Sequence, residues 1–510
     1  MTGPRLLLAA LAVAGSASLA APLLEPPGEP HLAIVPRTPE EAARIAAVTA
    51  LATDFSAPAK FEDKPAGAAT VRARQSRDAF SQFSGNLGFE GQLDFKIGNG
   101  LFQKNWVPSP SSTLASDGLG PLFNARSCQG CHVKDGRGQP PDGLSDGPEA
   151  MILKVSVPGG PEDAGADIRD YLLATPDPVY GGQIQTESVA GQPPEARLEI
   201  VYEEFAVPLS EGETANLRRP TYVLHDLGFG PLALGAVLSP RVAPQMIGLG
   251  LLEAVPTADI LALVDEEDAD GDGVSGRANI VHSAEFGMPM LGRFGWKAGV
   301  PTVKEQSAAA FAGDMGLSTS LHPDAHGECT EAQAACRAAP HGGDPARDGL
   351  EVDDEALDLV AFYSRNLGVP ARRGEDDAQV LRGKEVFHDT GCASCHQPSF
   401  VTHRLEDRPE QSFQLVWPYT DLLLHDMGEG LADHRPEGRA TGTEWRTAPL
   451  WGVGLTEQVS GRATFLHDGR ARSLLEAILW HGGEARPHRD AVVEMPKAER
   501  DALIAFLESL

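Results

Sequence analysis

Cysteine is scarce in this chain, six in 510 residues, and the basic residues fall well short of the acidic ones, 42 against 72, for a formal charge of −30. A surface so charged repels nucleic acid and excludes it as a partner, while at low ionic strength it attracts a basic protein. A small cytochrome is one such partner; solubility alone is the plainer reading. Long apolar runs are also missing. Beyond the N-terminus none approaches the roughly 20 residues that a spanning helix needs, so no membrane span is expected once the leader is removed. The length allows two or three domains, each burying its own core.

At the N-terminus, Met1-Thr2-Gly3-Pro4-Arg5 precedes a mostly apolar run over residues 6–19, with small Ser18 and Ala20 placed for cleavage. Residues 1–20 read as a secretory signal peptide, which places the protein in the periplasm. A retained anchor is the alternative; the shortness of the run and the lack of a stop-transfer pattern speak against it.

Four of the six cysteines fall in two copies of one pattern, Cys128-Gln129-Gly130-Cys131-His132 and Cys392-Ala393-Ser394-Cys395-His396. Two thiols three positions apart with His directly after them form the c-type haem attachment signature. Chemistry sets the spacing. Both thiols add across the vinyl groups of one porphyrin, and the next imidazole lies under the ring as proximal iron ligand. Two covalent haems c are expected, held by Cys128, Cys131 and His132 and by Cys392, Cys395 and His396. A lone Cys-x-x-Cys also serves as a zinc half-site, a redox dithiol or a disulfide end, and the two pairs could join in one four-Cys zinc site. None of these gives either His a reason to follow its pair. Export agrees with the haems, since c-type attachment occurs outside the cytoplasm. Cys329 and Cys336 lack a following His and flank a short polar stretch. They read as a local disulfide in an oxidising compartment, with a free redox dithiol as the alternative.

Around the motifs the chain divides readily. Residues 21–79 hold a Pro-rich linker and a helix opened by Thr38 as N-cap, Pro39 at the first position and Glu41 as capping-box partner, with Ile45, Val48 and Leu51 on one apolar face. Residues 80–370 read as a first haem domain. Within it, about 151–238, come short alternating runs such as Ile152-Leu153-Lys154-Val155 and Leu198-Glu199-Ile200-Val201, broken by Pro and Gly, which read as strands of an insert. A helix over 353–367 ends in a Gly- and Pro-containing break at 368–374, which separates the C-terminal domain, 371–510. There a helix over 376–388 leads into the second motif, and a closing helix over 497–510 carries Leu503, Phe506 and Leu507 on one face. The expected fold class is mainly α: two cytochrome c-like haem domains, the first elaborated with a β-rich insert.

The loop at 268–279 places Asp268, Asp270 and Asp272 at positions 1, 3 and 5 with Gly273 at 6, the spacing of a calcium loop. Asn279 stands where the bidentate Glu belongs. Ca²⁺ in a structural role and a solvated acidic turn are the two readings.

Several stretches resemble a known group of proteins. Gly383-Lys384-Glu385-Val386-Phe387 ahead of the second motif, Trp445-Arg446-Thr447-Ala448-Pro449-Leu450-Trp451, and Phe465-Leu466-His467-Asp468-Gly469-Arg470 resemble the C-terminal domain of bacterial di-haem cytochrome c peroxidases and MauG-like enzymes. Leu119-Gly120-Pro121-Leu122-Phe123-Asn124, residues 291–298, Leu424-His425-Asp426-Met427-Gly428 and Trp480-His481-Gly482-Gly483-Glu484-Ala485 are similar to the di-haem oxidoreductases sometimes labelled thiol oxidoreductases. The resemblance runs from about Phe80 onward. It implies that the C-terminal haem, on His396, takes electrons from a donor protein. The N-terminal haem, on His132, would then reduce a small-molecule oxidant, hydrogen peroxide.

Neither sixth iron ligand of those relatives carries over. No His lies between His132 and His225, and Ala463, Thr464, Phe465 and Leu466 precede His467 where the relatives have Met or Tyr. Met427, His467 and Met315 are the substitutes considered, with core packing the alternative for each Met and a hydrogen-bonded role near a propionate the alternative for His467 and His481. Trp296, Trp445 and Trp451 suit either electron transfer beside the haems or an aromatic core. Three activities follow: a peroxidase-like oxidoreductase first, then an electron-transfer cytochrome without substrate, and an oxidase of thiols or of a protein substrate.

Overall fold

Glycine and proline, 55 and 40 of them, cut the chain into short pieces. The computed structural model describes residues 27–145, 150–158 and 174–510. The expected signal peptide lies outside these residues. Helix makes up 30% and strand 18%, the strand spread over many small sheets. This overturns the expected mainly α class. Nor do the elements sort into two helical cytochrome-like units. One buried cluster gathers Phe80, Ile247 and Leu252 with Phe400, Val416, Leu422 and Trp451, so a single core runs through both halves.

The N-terminal segment ties the halves together. Strand β1 (Ile34–Val35) pairs antiparallel with Arg404 and Leu405 far along the chain. Helix α1 (Pro39–Thr49) has the expected capping box, with Thr38 Oγ1 accepting from Glu41 N at 3.2 Å and Glu41 Oε2 accepting from Thr38 N at 3.0 Å. Its expected apolar face is corrected: Ile45 is buried, but Val48 and Leu51 are 39% and 53% exposed. The helix meets the body through Glu41, which pairs with Arg404, and through Ile45 one turn on. Further on, buried Glu62 receives Lys384 Nζ at 2.6 Å, the Arg372 guanidinium and the Tyr419 hydroxyl at 2.8 Å.

Helix α2 (Phe89–Phe102) leads toward the first motif. Past that motif, β2 (Met151–Ser156) is the central strand of a three-stranded antiparallel sheet, flanked by β3 (Gln183–Ile184) and by β6 (Val237–Val242). Between these lies a long hairpin of β4 (Arg197–Pro208) and β5 (Thr214–His225). The strands of the insert are present, and the hairpin reaches the C-terminal third of the chain. Glu204 pairs with Arg472 at 2.8 Å, Glu213 with Arg500 at 2.7 Å, and the Tyr222 hydroxyl donates to Asp468 at 2.6 Å.

Helix α3 (Val303–Met315) ends against the first motif. Helix α4 (Asp354–Arg365), capped by Asp353, buries Leu357, Val360, Ala361 and Tyr363 as its periodicity predicts. In the C-terminal part α5 (Ala378–Asp389) crosses the last helix, α8 (Lys497–Ser509), at Gly383. A Cβ there would stand 1.8 Å from the Ala502 carbonyl oxygen, so the crossing admits only glycine. Leu503, Phe506 and Leu507 of α8 are buried, as expected. Between them lie a two-stranded ribbon of β7 (Leu424–Asp426) and β8 (Glu444–Arg446), and helices α6 (Leu474–Leu479) and α7 (Arg486–Glu494).

Candidate functional site

The first Cys-x-x-Cys-His forms a single helical turn, Cys128–Cys131, whose start is capped by Ser127 Oγ accepting from Gly130 N at 3.2 Å. His132 leaves the turn and places Nδ1 2.8 Å from the Pro244 carbonyl oxygen. In the second motif, Cys392–Ser394 make a tight 3-10 turn after Gly391, and His396 Nδ1 lies 2.9 Å from the Tyr419 carbonyl oxygen. An Nδ1–H that donates to a carbonyl leaves Nε2 with the lone pair, the tautomer a metal-ligating imidazole requires. Burial lowers both imidazoles to about 4 and keeps them neutral.

A tyrosine–carboxylate pair is tied through backbone bonds to each motif. Behind His132, Tyr363 donates to Asp135 at 2.6 Å, and Asp135 N bonds back to His132 O at 2.9 Å. Behind His396, Tyr419 supplies the carbonyl from its backbone and bonds Glu62 through its hydroxyl.

The motifs share one cavity of about 550 Å³, lined by both pairs of cysteines and by His132 and His396. All four thiols are free of disulfides. Among the described residues the only cluster of three or more His, Cys, Asp or Glu ligand atoms is Asp265, Asp268 and Asp270. The four sulfurs therefore do not converge as a zinc site would require.

The lining fits haem. Its walls are largely apolar and include Trp296, Trp445 and Trp451. In a chain of charge −30, six arginines and Lys154 face it against two carboxylates, Asp314 and Glu437. Arg241 and Arg435 pair with Glu437 at 2.8 and 2.5 Å, and Arg293 with Glu29 at 2.9 Å. Arg137 and Arg446 have no carboxylate partner among the described residues. Arg446 donates to the carbonyls of Gly295 and Thr447 at 3.0 and 2.9 Å, and buried Arg137 Nε has no partner. Burial pulls both guanidiniums down to about 10, still cationic at neutral pH. Two unpaired buried cations suit the propionates that each haem brings.

Met315, Met427 and His467 all line the cavity. Met315 ends α3 in a cluster with Phe102, Trp106 and Phe311. Met427 packs on the cluster that holds Trp445, Leu479 and Trp480. His467 stacks on Trp445, its backbone oxygen accepting from Val242 N at 2.8 Å, and burial lowers its imidazole to about 3.

In the acidic loop Asp268 and Asp270 converge with Asp265, while exposed Asp272 accepts from Val274 N at 2.8 Å. Asn279 is turned away from the loop, its amide donating to Lys297 O and Glu437 O. Cys329 and Cys336 are joined in a disulfide, and both are buried.

Sequence reasoning missed His425. Its Nε2 lies 2.7 Å from Asp421 and its Nδ1 3.0 Å from Glu484 and 3.6 Å from the Cys395 sulfur. Burial opposes its charge, but Asp421 and Glu484 carry the imidazole well above its usual value. The Leu424-His425-Asp426 string was the available signal, though its two acidic partners stand apart in the sequence.

Comparison with the curated proteins finds no match. The family described as "Di-haem oxidoreductase, putative peroxidase" matches residues 61–227 and 233–510, a span that contains both motifs, the long hairpin and every residue of the cavity wall. The chain belongs to the di-haem oxidoreductase family.

Proposed function

We propose that the chain is a periplasmic peroxidase-like oxidoreductase with two covalent haems c, electrons entering at the C-terminal haem and hydrogen peroxide being reduced at the N-terminal one. The observation that carries this is the shared cavity, with a Cys-x-x-Cys-His at each of two places on its wall and both imidazoles presented in the ligating tautomer. When bound, haem supplies an iron that carries electrons and, where its sixth position is open, polarises and cleaves an O–O bond.

The chain's own residues do the rest. Cys128 and Cys131, and Cys392 and Cys395, hold the two groups through thioethers. His132 and His396 are the proximal donors, oriented by Pro244 and Tyr419. Arg137 and Arg446 meet carboxylates that would otherwise be buried unpaired. Of the wall's two acids, Glu437 is held far below the usual carboxylate range by Arg241 and Arg435, which overcome its burial. Burial raises Asp314 instead, so of the two acids it is the one inclined to keep a proton and the candidate proton donor of the wall. The trio Asp265, Asp268 and Asp270 would hold Ca²⁺ through hard oxygen ligands. The buried Cys329–Cys336 bridge agrees with export. The acidic surface suits a basic electron-donor protein such as a small cytochrome.

The test is to express the chain with a c-type maturation system, count haems by the pyridine haemochrome, and follow peroxide loss with a reduced small cytochrome as donor. Two haems per chain and donor-dependent peroxide consumption, lost in His132→Ala, are expected. Two haems without peroxide consumption would leave an electron carrier.

A further inference from the structure

Six histidines line the cavity: His132, His396, His425, His467, His481 and His488. Two are the proximal donors, and the other four differ sharply in what their nitrogens already do. His425 is spent on both sides, on Asp421 and on Glu484. His467 lies flat on Trp445 with Nε2 3.9 Å from Asp468. His481 is built like the two proximal residues. It follows α6 by two positions, its amide bonds Ile478 O at 3.0 Å, and its Nδ1 lies 2.7 Å from Ala477 O. The lock that selects the Nε2 lone pair in His132 and His396 recurs here, made by the last turn of a helix.

The turn that carries His481 is braced on both sides. Trp480 is buried, with the Arg470 guanidinium 4.6 Å from its ring. Beyond His481, Gly482 and Gly483 lie against the backbone of Met427 and Gly428 so closely that a Cβ on Gly428 would stand 2.6 Å from Gly483 N. A ring held this firmly has few alternative orientations, which favours a ligand.

His488 shares the lock, its Nδ1 lying 2.7 Å from Thr390 O. Its ring rests on Gly391, however, where a Cβ would stand 2.6 Å from it, so it is seated on the backbone beside the attachment turn. The helix that leads into His481 packs through Leu474, Leu475 and Ile478 on the cluster that holds Phe387, Ala393 and Cys392, which brings His481 to the side of the second motif.

We propose that His481 Nε2 is the sixth ligand of the iron carried by the second motif, so that this haem is held between two neutral imidazoles, His396 and His481. The assignment rests on the reading of both motifs as haem sites. It gives the two haems unequal coordination by construction. Besides His132 itself, no histidine near the first motif has its Nδ1 locked to a backbone carbonyl among the described residues. A doubly histidine-ligated iron carries electrons and leaves small molecules alone; the iron at the first motif keeps the position that an oxidant needs.

The experiment uses the full-length holoprotein and reads ligation rather than turnover. Wild type, His481→Ala, His488→Ala and Met427→Leu are compared by ferric EPR and near-infrared magnetic circular dichroism, with carbon monoxide added to the reduced forms. The wild type is expected to show one bis-imidazole low-spin haem. His481→Ala should convert it to a high-spin form that takes up carbon monoxide, free imidazole should restore the low-spin signal, and the other two variants should keep it. If the alanine variant does not fold, His481→Met reads the same point through replacement of the bis-imidazole band by a His–Met one. A wild-type His–Met band that disappears in Met427→Leu, or a bis-imidazole signal that survives His481→Ala, overturns the assignment. A pyridine haemochrome showing fewer than two haems per chain, with His396 bare, overturns the haem reading and the assignment with it; full haem content with the wrong ligand overturns the assignment alone.

Discussion

His467 lies flat against Trp445, ring centroids 3.8 Å apart and planes 12° from parallel, while the Lys297 ammonium stands 4.5 Å from the centre of the same indole. Lys297 comes from the region ahead of the second motif and the other two from the region after it, so the indole joins the two regions. Burial lowers Lys297 to about 8 against the pull of Asp433. Trp445→Ala removes a 6% exposed side chain that both partners rest on. It should cost about 3–5 kcal/mol, read as a loss of denaturation midpoint, with Trp445→Phe losing less.

Glu62 gathers Lys384, Arg372 and Tyr419, and Tyr419 also supplies the carbonyl that orients His396. Burial opposes its charge, but the two cations hold its carboxyl below the ordinary glutamate value of about 4.5. A depressed acid stabilises the fold above its unfolded value and loses that contribution as pH falls through its folded value. Wild type should therefore lose its advantage over Glu62→Gln only below pH 4.5. At neutral pH the variant leaves two buried cations uncompensated and should be less stable by about 3–5 kcal/mol. Urea titrations of both proteins across acidic pH check the sign and the window.

At the crossing of α5 and α8, Gly383→Ala places a methyl group 1.8 Å from the Ala502 carbonyl oxygen. Backbone must yield on one side. The expected cost is about 1–3 kcal/mol, seen in thermal unfolding, with the second haem's optical spectrum shifted because α5 leads into its attachment turn.

Asp314 accepts from Gln183 at 2.8 Å and faces the cavity. Asp314→Asn keeps the shape and removes the titratable carboxyl proton. Peroxide turnover should fall by about 10²–10⁴-fold while haem content and the midpoint of unfolding stay close to wild type.

How much of this was legible in the sequence depends on how far each feature reaches. The capping box of Thr38 and Glu41, the cap of α4 at Asp353 and the buried face of α8 are local patterns, and the structure reproduces them. The strands of the insert were also visible as alternation. Their scale and reach were not: alternation says that a strand exists, not that its hairpin will pair with Arg472 and Arg500 more than 250 residues away. Hence the fold came out less helical than its motifs suggest. In the acidic loop Asp265, outside the expected spacing, lies with Asp268 and Asp270 because of the backbone path.

Residue type and spacing alone carry the reading of the covalent chemistry, which thiols would share one porphyrin and which imidazole would follow them, and they place the chain in its family. That information is carried within five consecutive residues. Tertiary structure decided everything that depends on a partner distant in sequence. Pro244 lies 112 residues from His132, yet it selects the nitrogen that His132 presents. Asp421 and Glu484 remove His425 from ligation, and a helix end prepares His481 for it. An imidazole's role is set by the hydrogen bond on its other nitrogen, and only the folded chain supplies that bond.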